Sequence, residues 1–403
     1  MTQDWKPTLI GNICKTNQQT YSLSEKWPFV NYLDTGNITE NHISEIQHLV
    51  TGQDTLPSRA RRKVAIDDIL YSTVRPNQRH YGIVKEVVPN MLVSTGFTVI
   101  TVDKVKADAD FLYYYLSQKN IIEGLHAIGE QSVSAYPSIK PSDIECLELL
   151  LPSLPEQIKI GCTLRILDDK IANNTKVNHH LAEIAQAIFK SWFVKFEPWE
   201  GEMPENWTYT TLDSMCSLIS KGITPKYDET SAEIVINQKC IRNKEIDLSS
   251  ARGHQPKRIN EKWLQYGDVL INSTGEGTLG RVAQFLFDGS NYTVDSHITI
   301  VRSSSDELVH FIGQWCLLRE SEFASMASGS TGQTDLPRER LKAMECILPD
   351  IKTLENYSLI VKPIVDKQVA YQMENARLVD IRDAILPRLM SGELSVSDIS
   401  EAK

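Results

Sequence analysis

Two stretches of the chain carry mainly apolar residues at alternating spacings of three and four. The first holds Ile160, Leu164, Leu167, Ile171, Asn174, Asn178, Leu181, Ala185, Ile188 and Trp192. The second holds Tyr357, Val361, Ile364, Gln368, Tyr371, Asn375, Leu378, Arg382, Ile385 and Leu389. A mean period of 3.5 predicts the seam of a coiled coil rather than a helix lying on a globular core. Each run opens after a Pro and a polar turn, Leu154-Pro155-Glu156 in one and Pro349-Asp350 in the other, as helix starts prefer. About 40 residues at 1.5 Å each predict a rod of about 60 Å. Asn174, Asn178, Gln368 and Asn375 are polar seam positions, which cost stability but fix register and partner. The competing reading is two unrelated helices, each packed on its own domain.

Elsewhere the pattern is mixed. Asp268 to Asn272, Arg281 to Phe287 and Thr293 to Val301 alternate as strands do, while Asp108 to Gln118 and Glu307 to Arg319 read as helices. The acidic, Pro-containing run Glu197-Pro198-Trp199-Glu200-Gly201-Glu202-Met203-Pro204 marks a boundary.

These elements recur. Asp68-Ile69-Leu70 returns as Asp268-Val269-Leu270, Gly129 and Pro137 as Gly329 and Pro337, and Glu145-Cys146 as Glu345-Cys346. Trp5 and Cys14 match Trp207 and Cys216, while Asp169-Lys170 and Ala187-Ile188 match Asp366-Lys367 and Ala384-Ile385. A nearly constant offset along the whole length indicates a duplication: mixed segment, long helix, mixed segment, long helix. The expected fold class is α+β, with two pseudo-symmetric mixed domains (1–152 and 198–349). They are separated by a central long helix (153–197) and a second long helix with its tail (350–403), the two forming an antiparallel coiled coil.

Composition narrows the function classes. The net charge of −10 argues against a small, uniformly basic nucleic-acid binder, yet residues 52–85 hold seven basic against three acidic residues. The seven cysteines are odd in number and form no C-x-x-C, so neither a disulfide framework nor a zinc site is expected. No apolar run approaches the length of a membrane span, and the opening residues do not resemble a signal peptide; a cytoplasmic location is expected.

No phosphate loop, H-E-x-x-H or G-x-S-x-G motif is present, and His179-His180 fall on different helix faces. Gly275-Glu276-Gly277-Thr278-Leu279-Gly280 fits a dinucleotide fingerprint, but the segment from Arg281 to Gly289 is short and β-prone, which predicts strand–loop–strand instead. Cations and amides cluster in loops. Arg59, Arg61, Arg62 and Lys63 lie together, and Arg75, Asn77, Gln78, Arg79 and His80 come directly after a strand. In the second half Lys221, Lys226, Arg252, Lys257, Arg258 and Arg281 recur near Ser273, Thr274, Ser330, Thr331 and Gln333; Glu130-Gln131-Ser132-Val133 is the first-half counterpart of that last loop. Arg and Lys can pair guanine edges, Asn and Gln adenine, and hydroxyls hold phosphates. Each residue alone also suits a solvated surface.

The layout and several phrases resemble the DNA-specificity subunits of type I restriction–modification enzymes. The phrases are Ile188-Phe189-Lys190-Ser191-Trp192-Phe193-Val194-Lys195-Phe196-Glu197-Pro198 with Met203-Pro204-Glu205-Asn206-Trp207 after it, then Gly267-Asp268-Val269-Leu270-Ile271-Asn272-Ser273-Thr274-Gly275, and Arg382-Asp383-Ala384-Ile385-Leu386-Pro387-Arg388-Leu389-Met390-Ser391-Gly392-Glu393-Leu394. The first half departs from the middle phrase, with Ala65-Ile66-Asp67-Asp68-Ile69-Leu70-Tyr71-Ser72-Thr73.

The resemblance implies two target-recognition domains, each reading one half of a split, asymmetric double-stranded DNA site, with the helix pair setting the gap. It implies a non-catalytic chain. Two methyltransferase subunits would bind along the helices, using S-adenosylmethionine to methylate adenine. Two ATP- and Mg-dependent restriction subunits would join for cleavage, so this chain would carry no cofactor of its own. The rival readings are a nucleotide-cofactor enzyme built on Gly275 to Gly280 and a purely structural coiled-coil protein.

Overall fold

The structure is a computed structural model and describes residues 5–131, 137–256, 262–287, 291–327 and 335–397. Two compact units divide the chain: Met1–Ala172 with Ala376–Lys403, and Asn173–Asn375. Neither long helix is a body of its own, because each gives one half to each unit.

In the first unit the central antiparallel sheet runs in the order Cys14–Thr16, Phe97–Val102, Ile69–Ser72, Tyr81–Ile83. The second unit repeats it with Cys216–Lys221, Ile298–Ser303, Val269–Asn272 and Val282–Gln284. Ile69–Ser72 and Val269–Asn272 are buried throughout, as befits strands covered on both faces. Phe111, Leu112 and Leu116 of Ala109–Leu116 cover the first sheet, and Phe311, Ile312 and Trp315 of Val309–Leu317 cover the second. Asp108 caps the first of these helices, its carboxylate accepting from the Phe111 N–H at 2.9 Å. In both units a further sheet contains one parallel pair, Phe29–Leu33 beside Met91–Ser94 and Ile234–Ile236 beside Tyr292–Val294. The duplication therefore extends to strand order.

One expected strand is two. Thr293 to Val301 breaks at Asp295-Ser296-His297, where the Asp295 carboxylate accepts the His297 N–H at 2.9 Å and the Ile298 N–H reaches the Asp295 carbonyl. This side-chain turn passes the chain from one sheet to the next.

The same aspartate opens the buried strand in each unit, with different partners. Asp268 receives Nε and Nη2 of Arg302 at 2.8 and 2.7 Å and the Gln265 N–H at 2.8 Å. Among the described residues, Asp68 receives the Thr101 hydroxyl at 2.6 Å and the Ala65 N–H at 2.7 Å.

The long helices span Leu154–Phe193 and Ile351–Met390. They pair within each unit. In the second, Asn174 donates to Asn375 Oδ1 and Glu374 Oε2, both at 2.9 Å, and Asn178 and Gln368 each donate to the other's backbone carbonyl at 3.2 and 3.3 Å. Farther along, Phe193 meets Tyr357 with ring centroids 4.9 Å apart. Numbers rise on one helix as they fall on the other, so the segments are antiparallel. In the first unit Arg382 reaches Asp168 at 2.8 Å, and Leu389 shares a core with Ile160 and Leu164.

Leu164, Asn178 and Val361 are buried, while Leu167, Ile171, Leu181, Ile364, Tyr371, Asn375, Leu378 and Ile385 are half-buried. At the end of the first helix Phe189 and Phe193 hold the fully buried positions, one residue beyond Ile188 and Trp192, which are partly covered. There the helix faces the domain core as well as its partner, and 3.6 residues per turn carries the apolar stripe round. Pro363 lies within the second helix on its exposed side and removes one i→i−4 hydrogen bond.

Asn178 is 4% exposed, and its Oδ1 has no hydrogen-bond partner among the described residues. An unsatisfied buried acceptor costs roughly 1–3 kcal/mol. Asn178→Leu is expected to stabilise the helix pair by about 1 kcal/mol, read as a rise in the thermal midpoint of the second unit; a fall would show that the amide contributes more than register.

Candidate nucleic-acid interface

The turn after each buried central strand is clamped by two backbone bonds. In the first unit the Thr73 N–H reaches the Gly96 carbonyl at 2.8 Å, and the Ile139 N–H reaches the Thr73 carbonyl at 2.9 Å. In the second the Ser273 N–H reaches the His297 carbonyl at 2.7 Å, and the Leu336 N–H reaches the Ser273 carbonyl at 2.8 Å. The frame is shared, and the side chains it presents are not.

Around the first frame Arg59 is exposed, its carbonyl taking the Thr95 N–H at 2.9 Å beside Gly96. Among the described residues Arg59 and Arg61 enter no ion pair; Arg61 Nε donates to the Ser58 carbonyl at 3.3 Å. Arg62 is half-buried in Ala60–Lys63, its Nε lacks a partner among the described residues, and burial pulls its pKa down. Lys63 is engaged, 2.6 Å from Glu25 and over the Trp27 ring. Arg75, whose N–H bonds the Pro137 carbonyl at 2.9 Å, opens the turn Pro76–Gln78, in which Pro76 is buried and Asn77 and Gln78 are exposed. Arg75 and Arg79 flank that turn in the left-handed region, at φ 47° and 57°. Residues other than Gly pay for that conformation, and such strain gathers at functional sites. Arg79 pairs with Glu40, whose hydrogen bond raises the guanidinium pKa further.

Around the second frame Lys221 Nζ holds both oxygens of Asp335, at 2.8 and 2.7 Å. Thr274 bridges to Asp335 through the backbone, and its hydroxyl lies 2.6 Å from His297 Nδ1. Lys262 donates to the Ser220 hydroxyl at 2.7 Å and to the Lys221 carbonyl; burial pulls its pKa down. Burial pushes the Asp295 carboxyl up, against the His297 N–H that favours its charged form. Lys226, exposed, bonds Gln255, and next to it Arg252 stacks 3.7 Å over the Tyr227 ring.

The structure corrects two expectations and bears out a third. Ser273 is 0% exposed and its hydroxyl is bonded to Thr299, so it cannot contact a nucleic acid directly. Arg281 stands apart from Lys221: it lines an 810 Å³ cleft of the second unit with Lys244, Gln186 and Gln368, its Nη2 donating to the Gly277 carbonyl at 2.9 Å. Gly275 to Gly280 forms a turn leading into strand Val282–Gln284, the strand–loop–strand expected from the sequence, so no helix N-terminus awaits a pyrophosphate. Lys257, Arg258, Ser330, Thr331 and Gln333, with Ser132 and Val133, lie outside the described residues. His297, Asp335 and Lys262 escaped sequence reasoning, because each reaches the site through pairings far away in the chain.

The sequence model described as "Type I restriction modification DNA specificity domain" matches residues 2–183, and the repeated frame carries the same architecture through the second half. Two curated relatives align end to end. The type I restriction enzyme HindI specificity subunit of Haemophilus influenzae is 24% identical, over 97% of this chain and 100% of that one. The MjaIX specificity subunit of Methanocaldococcus jannaschii is 26% identical, over 98% of this chain and 95% of that one. The matched model covers residues 2–183, and both end-to-end relatives are type I specificity subunits.

The fold agrees: the crystal structure of a type I S subunit from M. genitalium superposes with a TM-score of 0.62 at 15% identity, covering 96% of both chains. Among the described residues, no helix is long and apolar enough to cross a membrane.

Proposed function

We propose that each unit reads one half of a bipartite, asymmetric duplex site and that the helix pair sets the gap between the halves. The observation that carries this is the clamped turn, repeated in both units with the same backbone bonds and different exposed side chains. One scaffold with two chemistries is what two unlike half-sites require, and the duplication stands in for the two-fold symmetry of dimeric DNA readers. At 3.4 Å per base pair, a rod of about 60 Å spans at most about 17 base pairs.

Two methyltransferase subunits bind along the helices, carrying S-adenosylmethionine, and two restriction subunits carry ATP and Mg; this chain supplies neither group and works in the cytoplasm. In the first unit Arg59, Arg61, Arg75, Asn77 and Gln78 are the contacts the geometry favours. In the second they are Lys221, Thr274 and Lys226. Arg62, Lys63 and Arg79, each half-buried or ion-paired, act chiefly by shaping the surface.

Selection of bound duplexes from a randomised library by the complex reconstituted with its methyltransferase subunit tests the reading. The wild type is expected to yield a split motif, and Arg75→Ala to relax one half of it by roughly ten-fold or more at a single position. Lys226→Ala, at an exposed phosphate-reaching position, should weaken all sequences alike. A continuous motif, or none, would remove the proposal.

A further inference from the structure

Four exposed or half-exposed polar side chains from four chain segments meet at the clamped turn of the second unit: Lys221, Thr274, His297 and Asp335. Two pairs lock them, Lys221 with both oxygens of Asp335 and Thr274 with His297. The first unit offers other groups on the same frame. By the strand registers Gln18 takes the place of Lys221, next to Asn17, whose N–H reaches the Val99 carbonyl as Ser220 pairs with Ile300. Val74 replaces Thr274, Ser138 stands for Asp335 in the equivalent backbone bridge, and Gly96 supplies the carbonyl that His297 supplies. The frame of the first unit thus carries neither an ion pair nor a carboxylate at these positions.

A carboxylate is a poor tool for gripping phosphate, since it repels the backbone. Its place beside a lysine makes sense on a base edge. In the major groove a G·C pair shows two acceptors on guanine, N7 and O6, beside one donor, the cytosine N4 amino group. A lysine ammonium next to a carboxylate presents the complementary order of donor and acceptor. The side chains of Lys221 and Asp335 remain 35% and 46% exposed, so both heads can be reached.

Resting on the bipartite reading above, we propose that Lys221 and Asp335 together read a G·C pair in the half-site of the second unit, with Thr274 and His297 holding the adjoining turn. Lys221 donates to guanine and Asp335 accepts from cytosine N4. The first unit, lacking the pair, reads its half-site by other contacts.

The test is the library selection carried out with the full methyltransferase complex and three versions of this chain: wild type, Asp335→Asn and Lys221→Met. The expected result is a wild-type motif with a G·C pair in one half, whose preference falls roughly ten-fold or more in both variants. The other half-site stays intact and so reports that the variants are folded. Should Asp335→Asn fail to assemble, Lys221→Met carries the same readout. A motif unchanged by both variants, or uniform weakening at every position, would overturn the proposal while leaving the bipartite reading in place. A wild-type complex without a split motif would overturn both.

Discussion

Asp268→Ala is expected to cost about 3 kcal/mol, the lower end of what breaking a buried ion pair costs. The Asp268 side chain is 0% exposed and that of Arg302 20%, so the variant would leave a largely buried guanidinium with only the Trp263 carbonyl, 2.8 Å from its Nη2. The Gln265 N–H would lose its acceptor as well. The partial exposure of Arg302 lets water relieve some of the loss, which is why the lower end applies. The equivalent change in the first unit, Asp68→Ala, removes a hydroxyl and one N–H partner but strands no charge, so roughly 1–2 kcal/mol is expected there. Hydrogen exchange separates the two, because it reports each unit: protection should fall along Val269–Asn272 in one variant and less along Ile69–Ser72 in the other. Equal losses would show that the Arg302 pair adds nothing beyond its hydrogen bonds.

Adding seven residues to both long helices, after Ala172 and after Asn375, should lengthen the preferred gap between half-sites by about three base pairs. Seven residues add about 10.5 Å of helix, and seven is nearly two turns, so the seam faces stay nearly aligned. Adding seven to one helix alone should abolish duplex selection. The polar layer cannot slide to absorb it, since Asn174 must meet Asn375 and Asn178 must meet Gln368. Such polar seam contacts penalise a slipped register more than an apolar seam would. Library selection by the complex reads the gap directly, and an unchanged gap in the doubly extended chain would end the ruler role.

The long helices and the duplication were legible because both are written in local or repeated signals. A 3.5 spacing needs only one helix to show itself, and an offset near 200 residues needs only comparison of the chain with itself. Burial along the seam tracks the spacing from Ile160 to Ala185 and slips to Phe189 and Phe193 only where a second surface, the domain core, competes for the helix face. Asp295-Ser296-His297 hid inside an apolar run because the break depends on one carboxylate turning back to a nearby N–H.

The candidate interface was legible only as residue types. Ser273 and Thr274 are neighbours in an expected contact phrase, yet one hydroxyl is sealed against Thr299 and the other meets His297 at the surface. Alternation along the backbone sends neighbours to opposite faces, but which face is wet depends on what packs there. Likewise Arg59, Lys63 and Arg79 have the same charge in sequence, and Glu25 and Glu40 occupy the last two from 38 and 39 residues away.

What the sequence determined by itself was the plan: two copies of one mixed domain, two long helices, polar residues at set places in their seams, and a resemblance to a family with this plan. Tertiary structure alone decided which side chains stand at the clamped turns, because hydrogen bonds from Thr73 to Gly96 and from Ser273 to His297 join segments more than 20 residues apart. Periodicity encodes a helix within a few turns, whereas a surface is assembled from strands whose partners no local pattern names.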